Sequence, residues 1–178
     1  MSPEDLSVIE EYEAAANAAD ADAVQGLLGP GFGHTDAGNP GWVSRAELWS
    51  QEQAYWAAEG GTVAYTDCHS EGALVSCLET WSGPVQDVVL LQDWTYQMRF
   101  DIQDGVIVAM EGYTLVWPDQ SVDQDTRARI AAWVRTFDDE LGVELERCSG
   151  GAAGENFDLD LAAQCGEYAV LWAEAGRP

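Results

Sequence analysis

The chain contains no lysine. Its seven basic residues are all arginine, set against 32 aspartates and glutamates, and the formal net charge at pH 7 is −25. So one-sided a surface repels nucleic acid and anionic membranes, which excludes both as partners. Long apolar runs are missing as well: none approaches the roughly 18 residues of a membrane span, so no membrane insertion is expected. The first residues, Met1-Ser2-Pro3-Glu4-Asp5, lack the positive charge of a secretory leader. Two histidines and four cysteines stand in no zinc-binding spacing, so no metal and no cofactor are expected. Repeats and low-complexity tracts are absent too.

What is present suits one core. At 178 residues, 47% of them hydrophobic, the chain is long enough for a single well-buried domain with an appendage and short for two domains. The four cysteines pair locally. Cys68 and Cys77 flank a hairpin turn at Gly72-Ala73, and a two-residue loop there sets them directly opposite, at a spacing suited to a cross-strand disulfide. Cys148 and Cys165 bracket a glycine-rich loop. Two disulfides imply an oxidising compartment, so this acidic protein is expected to be extracytoplasmic or secreted, with its export signal missing from the sequence given. Four free thiols in the cytoplasm are the alternative.

The stretch 87–117 organises the rest. Two strand-like runs rich in β-branched and aromatic residues flank Gln103-Asp104-Gly105 and predict a hairpin. With a two-residue turn, Glu111 would share the apolar face. A three-residue loop with Gly105 left-handed puts Val106, Val108 and Met110 there instead, which avoids burying an unpaired charge. The expected inner wall is therefore Trp94, Tyr96, Met98, Phe100, Val108 and Met110.

Before it come helices. Ser2-Pro3-Glu4-Asp5 is a helix start, and Leu6, Ile9, Tyr12, Ala16 and Ala19 recur at helical spacing. A short second helix carries Val24, Leu27 and Leu28. The segment 32–36 is extended, with His34 and Asp36 on one side. Ser44-Arg45-Ala46-Glu47 reads as a capping box for a third helix bearing Leu48, Trp49, Tyr55 and Trp56. Four antiparallel strands follow, then a helix from Ser121 or Asp123 to about Leu141 and a last one near 159–173. The fold class is α+β: helices on a curved antiparallel sheet that forms a cone-shaped pocket in residues 4–117, with a C-terminal helical extension, 118–178, packed on the sheet.

Three passages, EYEAAANAADADAVQGLL, FGHTDAG and MRFDIQDGVIVAMEG, resemble the nuclear-transport-factor-like, SnoaL-like superfamily, which includes ketosteroid isomerase and limonene epoxide hydrolase. The likeness covers about residues 4–117. It implies the cone fold, and from ketosteroid isomerase it implies Tyr12 as a hydrogen-bond donor to a developing oxyanion and Asp36 as general base. The isomerase's second donor, a strand aspartate, has no good match: Asp93 points outward in the expected register, and Tyr96 is the nearer inward residue.

Each candidate also has a plainer role. Tyr12 on an inner helix face can be a core residue with a satisfied hydroxyl. Asp36 can make a turn, His34 can orient Asp36, and Met98 and Met110 can simply line the pocket. The expected function is binding of a small apolar ligand, or of a partner protein, in the cone without catalysis, with His34 and the inner wall as ligand contacts. The alternative is a cofactor-independent isomerase or cyclase using Asp36 and Tyr12. A homodimer through the sheet is compatible with both.

Overall fold

The computed structural model describes residues 2–36, 39–90, 93–116, 120–148 and 157–177, and within them the side chains of all but residues 36, 39–43, 89–90, 114–116 and 120–123. Helix α1 (Pro3–Asn17) opens on the predicted capping box: Ser2 Oγ accepts from the Asp5 amide and the Asp5 carboxylate accepts from the Ser2 amide. Its buried face is Val8, Ile9, Tyr12 and Ala16. Helix α2 (Ala21–Gly26) is capped by Asp20. Strands β1 (Leu28–Asp36) and β2 (Asn39–Ser44) precede α3 (Ala46–Ala58).

The capping box expected at α3 does not form. Ser44 is instead the last residue of β2, paired opposite His34 and fully buried, so Arg45 becomes the N-cap without a side-chain bond.

Strands β3 (Thr62–Glu71), β4 (Leu74–Ser82), β5 (Trp94–Gln103) and β6 (Val106–Val116) follow, with a π-helical turn, Gln86–Leu90, between β4 and β5. The sheet order is β2-β1-β6-β5-β4-β3. Strands β3 to β6 are antiparallel neighbours as expected, whereas β1 lies parallel to β6. The segment read only as extended is thus part of a sheet strand, and the sheet is mixed.

The β5–β6 hairpin reaches the expected face by the other turn. Gln103 pairs with Val106, and Asp104 and Gly105 are both left-handed (φ 51° and 79°), a two-residue turn that matches strand twist. A bulge at Val108 then restores the parity, setting Met110 opposite Phe100 and Glu111 opposite Arg99. Ile107, with no exposed surface, joins the core, while Val108 is half-buried, packs with Val106 over Gly29 and is not part of the core cluster. In β3 a bulge at Asp67 (φ 53°) displaces the strict opposition of Cys68 and Cys77, yet the two are bonded, their Cα atoms 4.1 Å apart.

The C-terminal helix expected to reach Leu141 is two helices, α4 (Gln120–Val134) and α5 (Asp139–Leu145). Asp138 accepts from the Leu141 amide and starts α5 afresh. Gly142 lets α5 fold back, because a Cβ there would collide with Arg135 and the Ala131 carbonyl. Helix α6 (Leu159–Glu174) is joined to the end of α5 by Cys148–Cys165.

This extension, expected to pack on the sheet, packs chiefly on α3 and meets the sheet at one end. Helix α6 lies on α3, where Gly166 meets the Glu59 backbone so closely that no side chain would fit. Arg127 of α4 forms a two-pronged ion pair with Glu59 at 2.8 and 3.3 Å, buried on both sides. The sheet is met at its end: Trp94 packs both with the main core and with the extension cluster of Val85, Val88, Ile130, Ala169 and Trp172.

Candidate functional site

Along β4 the residues Val75, Cys77, Glu79 and Trp81 share one face and are all buried. A carboxyl group therefore sits in an otherwise apolar row. Glu79 is directly opposite Tyr65 on β3 and Tyr96 on β5, so the pairing itself builds a Tyr–Glu–Tyr row across three strands. The Trp81 indole N–H donates to Glu79 Oε1 at 2.9 Å. The Tyr65 hydroxyl lies close enough to Glu79 to act on the carboxyl as a hydrogen-bonding neighbour and lower its proton affinity. Burial outweighs both neighbours and raises the Glu79 pKa to about 7. The Tyr65 phenol is pushed well above its ordinary value, first by burial and then by the Glu79 charge.

Tyr12 completes the row from α1. It is fully buried, its ring 6.0 Å from that of Tyr65 and 6.4 Å from that of Phe100. Its hydroxyl accepts from Trp49 Nε1 at 2.7 Å, which leaves the phenolic hydrogen for donation. Burial first, and then the charge of Glu79, raises its pKa well above the usual phenol range. Trp49 is also stacked on His34, ring centres 3.8 Å apart. Burial holds His34 down to about 4, so at neutral pH the imidazole is uncharged.

The α3 face above the sheet carries Trp49, Glu52, Gln53 and Trp56. Trp56 meets Trp81 and Trp94 edge-on, with ring centres 5.2 and 5.8 Å away. Burial raises Glu52 to about 7, and its charge is felt at Tyr12. Gln53 is 1% exposed, and neither amide atom has a hydrogen-bond partner.

Of the residues expected at the site, Tyr12 and His34 are brought together through Trp49. Met98, Phe100 and Met110 lie in the core, Trp94 and Tyr96 are half-buried against it, and Val108 stands apart. The Asp36 backbone ends β1 opposite Gly112 and Asn39, and its side chain lies outside the described residues. Sequence reading missed Trp49, Glu52, Gln53, Tyr65, Glu79 and Trp81. For Glu79 the signal was there, an acid in the apolar alternation of LVSCLETWS.

Among the described residues no group of three or more histidines, cysteines or carboxylates is placed to hold a metal ion. Outside the cone, α2, α3 and the start of α6 border an open groove of about 530 Å³ lined by Gln51, Arg147, Phe157 and Asp158, among others. None of its lining residues carries an unpartnered buried polar atom, which distinguishes it from the cone.

No family model matches the chain, and no curated protein matches it by sequence. Solved structures do. An LEH-like epoxide hydrolase from M. tuberculosis is 18% identical with a TM-score of 0.52, over 67% of this chain and 88% of that one. IdmH from Streptomyces antibioticus, a candidate polyketide cyclase, is 18% identical with a TM-score of 0.53, over 64% and 93%. A candidate SnoaL-like polyketide cyclase from Jannaschia sp. CCS1 is 18% identical with a TM-score of 0.51, over 65% and 90%. At such identities the likeness shows the fold alone: the α+β cone of nuclear-transport-factor-like, SnoaL-like proteins, without a counterpart for about a third of this chain.

Proposed function

We propose that this protein binds a small, largely apolar molecule in the cone, with the molecule's polar end against the row Tyr12, Tyr65 and Glu79. The observation that carries this reading is the row itself, two phenols and a carboxyl group buried side by side in an interior otherwise walled by Trp49, Trp81, Met98 and Phe100. A few convergent polar groups in an otherwise apolar interior are what a small-molecule site offers to the polar end of its ligand, and this supports the reading. The two disulfides support an oxidising, extracytoplasmic setting for that binding.

The test uses 2-acetylnaphthalene and its carbonyl-free analogue 2-ethylnaphthalene, followed by tryptophan emission. The ketone is expected to bind saturably, and Tyr65→Phe to weaken it by about tenfold while leaving the ethyl compound unchanged. Absence of a saturable response to both compounds overturns the reading.

A second reading, acid–base catalysis of an isomerase or cyclase kind, is favoured by the carboxyls of Glu79 and Glu52, which burial poises near 7, the proton affinity that suits a general base at neutral pH. Asp36, at the end of β1, belongs to the same proposal as an alternative base. Proton abstraction next to a carbonyl exchanges the acetyl methyl hydrogens of 2-acetylnaphthalene for deuterium in heavy water. Exchange faster than the solvent rate, lost in Glu79→Gln or Asp36→Asn with binding retained, identifies the base. Exchange at the solvent rate leaves a binder.

A further inference from the structure

Gln53 is the one buried amide side chain among the described residues whose nitrogen and oxygen are both without a hydrogen-bond partner. It is 1% exposed. On α3 it lies four residues after Trp49 and three before Trp56, within about 60° of both around the helix. Trp49 stands against Tyr12 and His34, and Trp56 against Trp81 and Trp94, so the turn that bears Gln53 is bracketed by two indoles of the cone. The two rings meet edge to face 6.3 Å apart. A helix that buries an amide between two indoles loses stability unless something satisfies the amide.

We propose that Gln53 reads the ligand, selecting a neutral molecule that presents a donor and an acceptor side by side, as a lactam or a primary amide does. The inference rests on the ligand-binding reading above and names the chemistry that the reading leaves open. A glutamine amide offers one acceptor oxygen and two N–H donors, and a lactam edge offers the complementary pair in one plane, so both unpartnered atoms are satisfied together. A ketone or ester answers only the N–H side. A carboxylate is disfavoured by charge, because Glu52 and Glu79 share the interior and the whole chain carries −25.

Calorimetric titration of the full chain with 2-quinolone, a bicyclic lactam, and with 2-methoxyquinoline, the same skeleton without the donor, separates the outcomes. The wild type is expected to bind 2-quinolone about tenfold more tightly. Gln53→Met, which keeps the volume and removes both polar atoms, is expected to abolish that preference. Gln53→Leu repeats the test in a second background. A measurement that needs no variant is the ¹⁵N–¹H signal of the Gln53 side-chain amide, which should move farther on adding 2-quinolone than on adding 2-methoxyquinoline. Equal affinities in the wild type, a preference that survives in the variants, or an unmoved amide signal overturns the assignment of Gln53 and leaves the cone site standing. Failure of both compounds to bind overturns both readings.

Discussion

At the scale of single residues, Glu79 is the most consequential side chain and the easiest to test. Its carboxyl is held near 7 in the folded chain against an ordinary 4.5, so the folded state binds this proton more tightly than the unfolded state does. The stability linked to that proton is complete below about pH 4.5 and is lost as pH rises through 7. The loss amounts to about 3 kcal/mol at pH 8. Glu79→Gln is therefore expected to raise the melting temperature at pH 8, with the gap closing at pH 4.5. Equal melting temperatures at pH 8 would mean that the carboxylate is better solvated than its burial implies. His34 works in the opposite sense: its pKa is depressed to about 4, so stability is lost as pH falls from 6.5 through 4. Tyr12→Phe leaves the Trp49 indole N–H without its acceptor and should cost about 1–3 kcal/mol, read by chemical denaturation. Glu79 and Gln53 were both legible as polar residues inside apolar patterns, one of period two and one on a helical stripe. The Trp49–Tyr12 bond was not, because it joins positions 37 residues apart and depends on how two helices are set on the sheet.

At the scale of elements, the extension is held to the cone by a few strong contacts. Glu59 and Arg127 are 6 and 11% exposed, so removing one partner strands a buried charge. Arg127→Met is expected to cost about 3–5 kcal/mol, and adding Glu59→Met should recover much of it. Separately, replacing Cys148 and Cys165 with alanine should cost about 2–4 kcal/mol by equilibrium unfolding. Periodicity located every helix of the core, and turn residues located the β3–β4 and β5–β6 hairpins, but neither foresaw β2 or its pairing with β1. Two further features escaped. The bulge at Val108 was invisible because a two-residue turn plus a bulge and a three-residue loop place Met110 on the same face. The break between α4 and α5 was hidden because the apolar stripe runs through it, and only the close packing at Gly142 shows that the chain folds back. The docking of α6 on α3 likewise rests on Gly166, whose need for closeness is a tertiary fact.

At the scale of the whole molecule, the charge of −25 and the absence of lysine set the response to salt. Self-repulsion is screened within about 10 Å at 0.1 M, so the melting temperature should rise between low and moderate ionic strength. A flat curve would show the charges to be spaced too widely to matter. The overall architecture could be read from helix-then-sheet order and from the three passages of family likeness, because both are local patterns. The candidate site was legible only in outline. Its polar row is assembled from β3, β4, β5 and α1, and cross-strand register decides which side chains meet. The most direct test is the titration of the Glu79 carboxyl by ¹³C NMR with and without 2-acetylnaphthalene. A dry, ligand-binding row requires a free pKa near 7 that moves when the ketone binds. A carboxyl titrating near 4.5, indifferent to the ketone, would contradict it.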